Sequence, residues 1–123
     1  MIKTLSLSLA ALLLAAPFAQ ADVTGDAVKG KAAFSACAIC HTSVSGKNGM
    51  GPSLFGVVGR TAGTAPGFKY SEAMKTAGTW TPEKLDTFIG DPRKTVPGNG
   101  MPYAGVKDAQ KRADIIAYLK TLK

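Results

Sequence analysis

Cysteine and histidine occur at one place only in this chain. Cys37 and Cys40 are its two cysteines, His41 is its single histidine, and together they form Cys37-Ala38-Ile39-Cys40-His41. Two thiols are too few for a disulfide-stapled scaffold. The fold must therefore be one that lets a five-residue segment present two sulfurs and an imidazole to a common object. With 123 residues, 46% hydrophobic and 19% charged, there is room for one small domain and none for a multidomain enzyme. A domain of this size has a small core and commonly needs a disulfide, metal or cofactor to complete it.

The spacing C-x-x-C-H is that of covalent c-type haem attachment. Thiols three residues apart at the end of a short helix reach two vinyl groups on adjacent pyrroles, and the next residue turns its imidazole under the iron. Three other readings compete. A thioredoxin-like dithiol needs a βαβ context, which is missing. A structural zinc site takes four protein ligands, and beyond these three residues the chain offers no further Cys or His. A plain Cys37–Cys40 disulfide leaves a glycine-rich chain without an evident core. Haem makes His41 the proximal ligand, as the only imidazole. For the opposite side the candidates are Met50, Met74, Met101, water or nothing; Met101 stands apart because it lies between Gly100 and Pro102 in a loop, off any helical stripe.

Residues 1–21 carry a basic start at Lys3, an apolar centre and small residues at Ala19 and Ala21, the pattern of a cleaved secretory signal. The unbroken apolar run from Leu9 to Ala16 is far short of the roughly 18 residues that span a membrane. Removing 21 of 123 residues leaves 102, as a single domain over 22–123. Lys3 is the only charge lost, so the formal charge falls from +7 to +6. Export points to the periplasm.

The rest of the chain reads as all-α with long loops. Asp26 caps a helix running to about Cys37, with Gly30, Ala33, Phe34 and Cys37 on one stripe. Asp108 caps a last helix to Leu122, where Ile115, Tyr118, Leu119 and Leu122 repeat the spacing. The two are expected to cross at Gly30, with Phe34 against Tyr118. Ser71–Ala77 forms a short helix; Thr81 caps another, with Pro82 at its first position and Leu85, Phe88 and Ile89 inward; Asp91-Pro92 starts a further turn. Gly49 to Gly67 is ordered loop. A phosphate cradle there is discarded, because no strand precedes it and no Gly-Lys-Ser/Thr element follows. Val96 to Gly105 is a second loop, and loops this long in a small domain usually hold a function.

Taken in order, the chain resembles the small class I c-type cytochromes, the group of mitochondrial cytochrome c and bacterial cytochrome c₂. The residues carrying this are Gly30 and Phe34 before the Cys37–His41 motif, Gly51-Pro52-Ser53-Leu54-Phe55-Gly56, Gly59-Arg60, Ala65-Pro66-Gly67-Phe68-Lys69-Tyr70, Trp80, Pro97-Gly98-Asn99-Gly100-Met101 and Asp114–Leu119. The resemblance implies a small cytochrome c fold around one haem c per chain, attached through Cys37 and Cys40. It implies Met101 as distal ligand opposite His41, the Pro52 carbonyl as hydrogen-bond acceptor for the His41 ring, and Arg60, Tyr70 and Trp80 as partners of the inner haem propionate. Taken alone, Arg60 reads as a loop charge and the two aromatics as core. The chain departs from the family at Phe88, where a tyrosine often bonds the ligand sulfur, at Asn99 for threonine and at Met74 for asparagine.

An iron with two protein ligands has no open position for substrate, so the implied function is one-electron transfer and not enzymatic catalysis. The implied partners are a quinol-cytochrome c reductase type donor and an oxidase or photosynthetic reaction-centre acceptor, met transiently by a soluble monomer. The basic balance suits acidic partner surfaces. Nucleic acid is not expected, since the lysines are scattered without an arginine stripe. By resemblance, Lys47, Arg93, Lys94 and Lys107 ring the exposed haem edge with Tyr103 beside Met101, while Ala32, Ala36, Gly49 and Gly100 stand where mitochondrial relatives carry lysine. The alternative is a haem-based ligand binder or peroxidase-like protein with a labile Met101, against which stands the lack of a distal histidine or arginine in that loop.

Overall fold

The computed structural model describes residues 23–123. The expected signal segment lies outside the described residues. Among the described residues five α-helices follow in order: α1 (Ala27–Ala33), α2 (Glu72–Lys75), α3 (Pro82–Gly90), α4 (Pro92–Thr95) and α5 (Ala109–Leu119). None is long and apolar enough to cross a membrane.

Each helix begins where a short polar side chain satisfies free N–H groups of the first turn. Asp26 accepts from Val28 N and Lys29 N, Ser71 from Met74 N, Thr81 from Lys84 N, Asp91 from Lys94 N and Asp108 from Lys111 N. Pro82 and Pro92 take first-turn positions, where no amide hydrogen is missed. The first helix is shorter than its stripe suggested: from Phe34 to Ala36 it tightens to a 3₁₀ turn. Cys37 N and Ala38 N both donate to Phe34 O (2.8 and 2.9 Å), and Cys40 N and His41 N to Cys37 O (3.1 and 2.9 Å). Tightened last turns are common at helix ends; here the turns carry both cysteines and the histidine.

α1 crosses α5 at Gly30, which is buried. A Cβ there would sit 1.8 Å from Asp114 O and 2.9 Å from Tyr118 Cβ, so only glycine lets the backbones approach this closely. One turn on, the Phe34 and Tyr118 rings lie 5.2 Å apart, tilted by 57°. The crossing is tied by Asp114, whose carboxylate accepts from Asp26 N at 2.8 Å and from the Gln110 amide at 2.9 Å, while Gln110 also donates to Thr24 O. α3 contributes buried Leu85 and Phe88; Phe88 lies 4.9 Å from the Trp80 ring, and Ile89 is half-buried at the core's edge. Ile115 and Leu119, each 2% exposed, close the core from α5. Burying such a side chain contributes about 1.5–3 kcal/mol.

The long loops are not free coil. A single antiparallel bridge pairs Thr61 with Thr79, flanked by Gly59 N to Trp80 O (2.8 Å), Trp80 N to Arg60 O (2.9 Å) and Ala62 N to Gly78 O (2.7 Å). No strand pattern announced this pairing. It arises because loop amides and carbonyls beside a core need partners, and it sets Arg60 directly across from Trp80.

Candidate haem site

Local backbone geometry places the motif. The 3₁₀ turn delivers Cys37 and Cys40 as free, half-buried thiols one turn apart. Burial pushes the Cys37 thiol above its ordinary pKa, and the neighbouring Cys40 adds to the rise.

His41 is clamped on one side. Its Nδ1–H donates to Pro52 O at 2.7 Å, which places the lone pair on Nε2, the atom left for a metal. Burial lowers the imidazole's pKa; the Pro52 bond raises it and nearby Arg60 lowers it further, so the ring is held toward its neutral, ligating form. Gly51 makes this approach possible, because a Cβ there would lie 2.5 Å from His41 Cε1. The loop is held around that contact: Gly51 N donates to Cys40 O at 2.9 Å, and the Asn48 side chain bridges Ser53 N and Pro66 O, both at 2.9 Å.

Arg60 is partly buried. Its Nη1 donates to Phe55 O at 3.1 Å and its Nη2 to Ser53 O at 3.0 Å, while its Nε is buried without a partner. Burial lowers the guanidinium's pKa and the Tyr70 phenol works against that. Tyr70 accepts from Ala65 N at 3.0 Å, leaving its hydroxyl proton to donate elsewhere. An unpaired buried N–H costs about 1–3 kcal/mol, so Arg60 Nε is a donor left open to an acceptor such as a carboxylate.

Met101 is half-buried against the core cluster that contains Phe88 and Trp80, and Met74 and Leu54 pack on the same cluster. Its backbone is held by Asn99 Oδ1, 2.8 Å from Met101 N, and by Tyr103 N, which donates to Met101 O at 3.0 Å. A cleft of about 260 Å³ brings Cys37, Tyr103, Lys107 and Ile115 together. A second, of about 390 Å³, joins His41 to Phe34, Lys47 and Tyr118. Met101, Arg93 and Lys94 line neither. Lys47, Arg93, Lys94 and Lys107 are all exposed, and the Lys107 amine in addition donates to Gly90 O at 2.8 Å and Ala104 O at 3.3 Å, bracing the loop end. Sequence reasoning missed Asn48 as a loop staple and Ser53, a buried serine whose hydroxyl donates to Val44 O at 2.7 Å. Nothing local distinguishes either from an ordinary polar loop residue.

The donor set fits a covalent haem: two thiols, a histidine with one nitrogen free, a glycine that lets the loop close against that ring, and an orphaned buried donor that a carboxylate could satisfy. A family model for cytochrome c matches residues 27–123. A cytochrome c2 from Rhodopila globiformis is 55% identical over 101 residues, which cover 80% of this chain and 95% of that protein. A cytochrome c from Euglena viridis is 52% identical over 101 residues, covering 80% and 99%. The fold matches cytochrome cH from Methylobacterium extorquens with a TM-score of 0.74 and 48% identity over 79% of this chain and 99% of that one. The turn that presents two thiols and one clamped imidazole is thus part of a family likeness running almost from α1 to the last residue, and the chain belongs to the cytochrome c family, electron-transfer proteins whose membership implies covalently bound haem c.

Proposed function

We propose that residues 22–123 are the exported, mature chain, that Cys37 and Cys40 bind one haem c, and that His41 and Met101 are its axial ligands. In this reading the protein is a soluble, periplasmic one-electron carrier between a quinol-oxidising complex and an oxidase or photosynthetic reaction centre. The observation that supports it best is the His41 Nδ1–Pro52 O bond at 2.7 Å, which leaves the Nε2 lone pair available to a metal.

Haem supplies an iron that gains and loses one electron. The chain's own residues keep the surroundings of that change constant. Pro52 and Gly51 hold the His41 ring in one orientation, and Asn99 and Tyr103 hold the Met101 backbone. Arg60, with Nε unsatisfied, and Tyr70, with a hydroxyl proton to give, would receive a propionate beside Trp80. Leu54, Phe88 and Met74 exclude water from the interior. Exposed Lys47, Arg93 and Lys94 favour encounter with acidic partner surfaces.

The test is the visible spectrum of the purified mature protein, oxidised and reduced, with a carbon monoxide challenge. A far-red sulfur-to-iron band in the oxidised form and no carbon monoxide response after reduction are expected. A c-type spectrum without that band and with prompt carbon monoxide binding would overturn Met101 ligation and favour a ligand-binding haem protein. Mass analysis of the same sample reads the cleavage after Ala21 and the single haem.

A further inference from the structure

Asn99 uses its whole side chain to fix the loop before Met101. The amide nitrogen donates to Pro92 O and to Val96 O, each at 2.9 Å, and Oδ1 accepts from Met101 N at 2.8 Å. The Asn99 backbone N–H also donates to Val96 O, at 3.1 Å. The partners themselves fix the amide's orientation: a flipped amide would set N–H against N–H and oxygen against oxygen. Pro92 is fully buried and Val96 is 6% exposed. One side chain therefore couples the Met101 backbone to the deepest part of α4. Gly100, between them, has no neighbour within 4 Å of an added Cβ, so it contributes no comparable restraint through packing.

We infer that Asn99 is a positioning residue for Met101: it sets how often the methionine leaves its place by anchoring the residue's backbone to α4. This rests on the reading of Met101 as distal ligand. For the thioether to swing out with its backbone, the Met101 N–H must leave Oδ1 or draw Asn99 away from both carbonyls. Each such bond adds to the closed state, so loss of the amide raises the frequency of loop opening about ten- to a hundredfold.

The experiment compares ferric holoprotein as wild type, Asn99→Ala, Asn99→Thr and Gln110→Ala, reading the rate of imidazole entry to the iron and hydrogen exchange at the Met101 amide. Asn99→Ala is expected to speed both about ten- to a hundredfold, losing the far-red band at a temperature below global unfolding. Asn99→Thr, with a hydroxyl able to make one of the bonds, falls between. Gln110→Ala removes two donations at the α1–α5 junction and lowers global stability without changing either rate. Unchanged imidazole entry and Met101 exchange in Asn99→Ala, with the wild-type band present, overturn the inference. A wild-type protein lacking the band refutes Met101 ligation, and the proposed role of Asn99 with it.

Discussion

Replacing Gly30 by alanine attacks the contact on which the two-helix frame depends. The added Cβ would lie 1.8 Å from Asp114 O, 2.5 Å from Asp114 C and 2.9 Å from Tyr118 Cβ, and the nearest two of these are backbone atoms of α5. Neither can rotate away, so restoring van der Waals distance moves the helices apart by about 1.5 Å. That displacement loosens Phe34 against Tyr118 and the seating of Ile115 and Leu119. Such overpacking costs typically 1–3 kcal/mol and more where backbone must shift; we take about 4. Alanine's better helix propensity returns about 1 kcal/mol. The net loss is about 3 kcal/mol, or roughly 12–24 °C in Tm for a domain near 100 residues. Thermal unfolding of the holoprotein reads this directly, with Gly100→Ala as control, since a Cβ there meets nothing within 4 Å. The control is expected to be neutral or slightly stabilising. A Gly30→Ala protein melting within a few degrees of wild type would refute the close-approach argument.

Three more outcomes are expected. The Asp114 carboxyl is held below the usual range chiefly by the Asp26 backbone N–H, then by the Gln110 amide, with burial opposing and Lys29 assisting. A depressed carboxyl stabilises the fold above its unfolded pKa of about 3.9 and loses that contribution as pH falls through the folded value. Asp114→Asn should therefore melt below wild type at neutral pH, with the gap closing in acid; a constant gap across the acid limb would refute it. Phe88, 7% exposed in the cluster on which Met101 packs, offers no hydroxyl to the proposed Met101 ligand. Phe88→Tyr is expected to raise the reduction potential by some tens of mV, against the 59 mV of a tenfold one-electron change, and an unchanged potential in voltammetry counts against a role for that position. Lys94→Glu, at an exposed site, should slow electron transfer to an acidic redox partner at low salt and converge with wild type at high salt; identical salt profiles would remove Lys94 from the docking face.

Much of the frame is written in local spacing. The caps at Asp26, Thr81 and Asp108, the Gly30 crossing and the Phe34–Tyr118 contact follow from side chains one to four residues apart and from a glycine on a buried stripe. The caps are short in sequence and each helical stripe has a fixed period, so residue order specifies the two faces, and the glycine marks where they can meet although the contacts themselves are distant in sequence. The Cys37–His41 motif is of the same kind in its spacing, while the tautomer of His41 is set by the tertiary contact with Pro52. What only the folded chain decided lies in the loops. The Thr61–Thr79 bridge that sets Arg60 opposite Trp80, the Asn48 staple beside Ser53, the approach of Gly51 to His41 and the fully used amide of Asn99 each join backbone groups that no periodicity pairs. The Asp26–Asp114 bond spans 88 positions. Such partners are chosen by which donors and acceptors the packed helices leave unpaired beside the core, and that choice exists only once the helices have met.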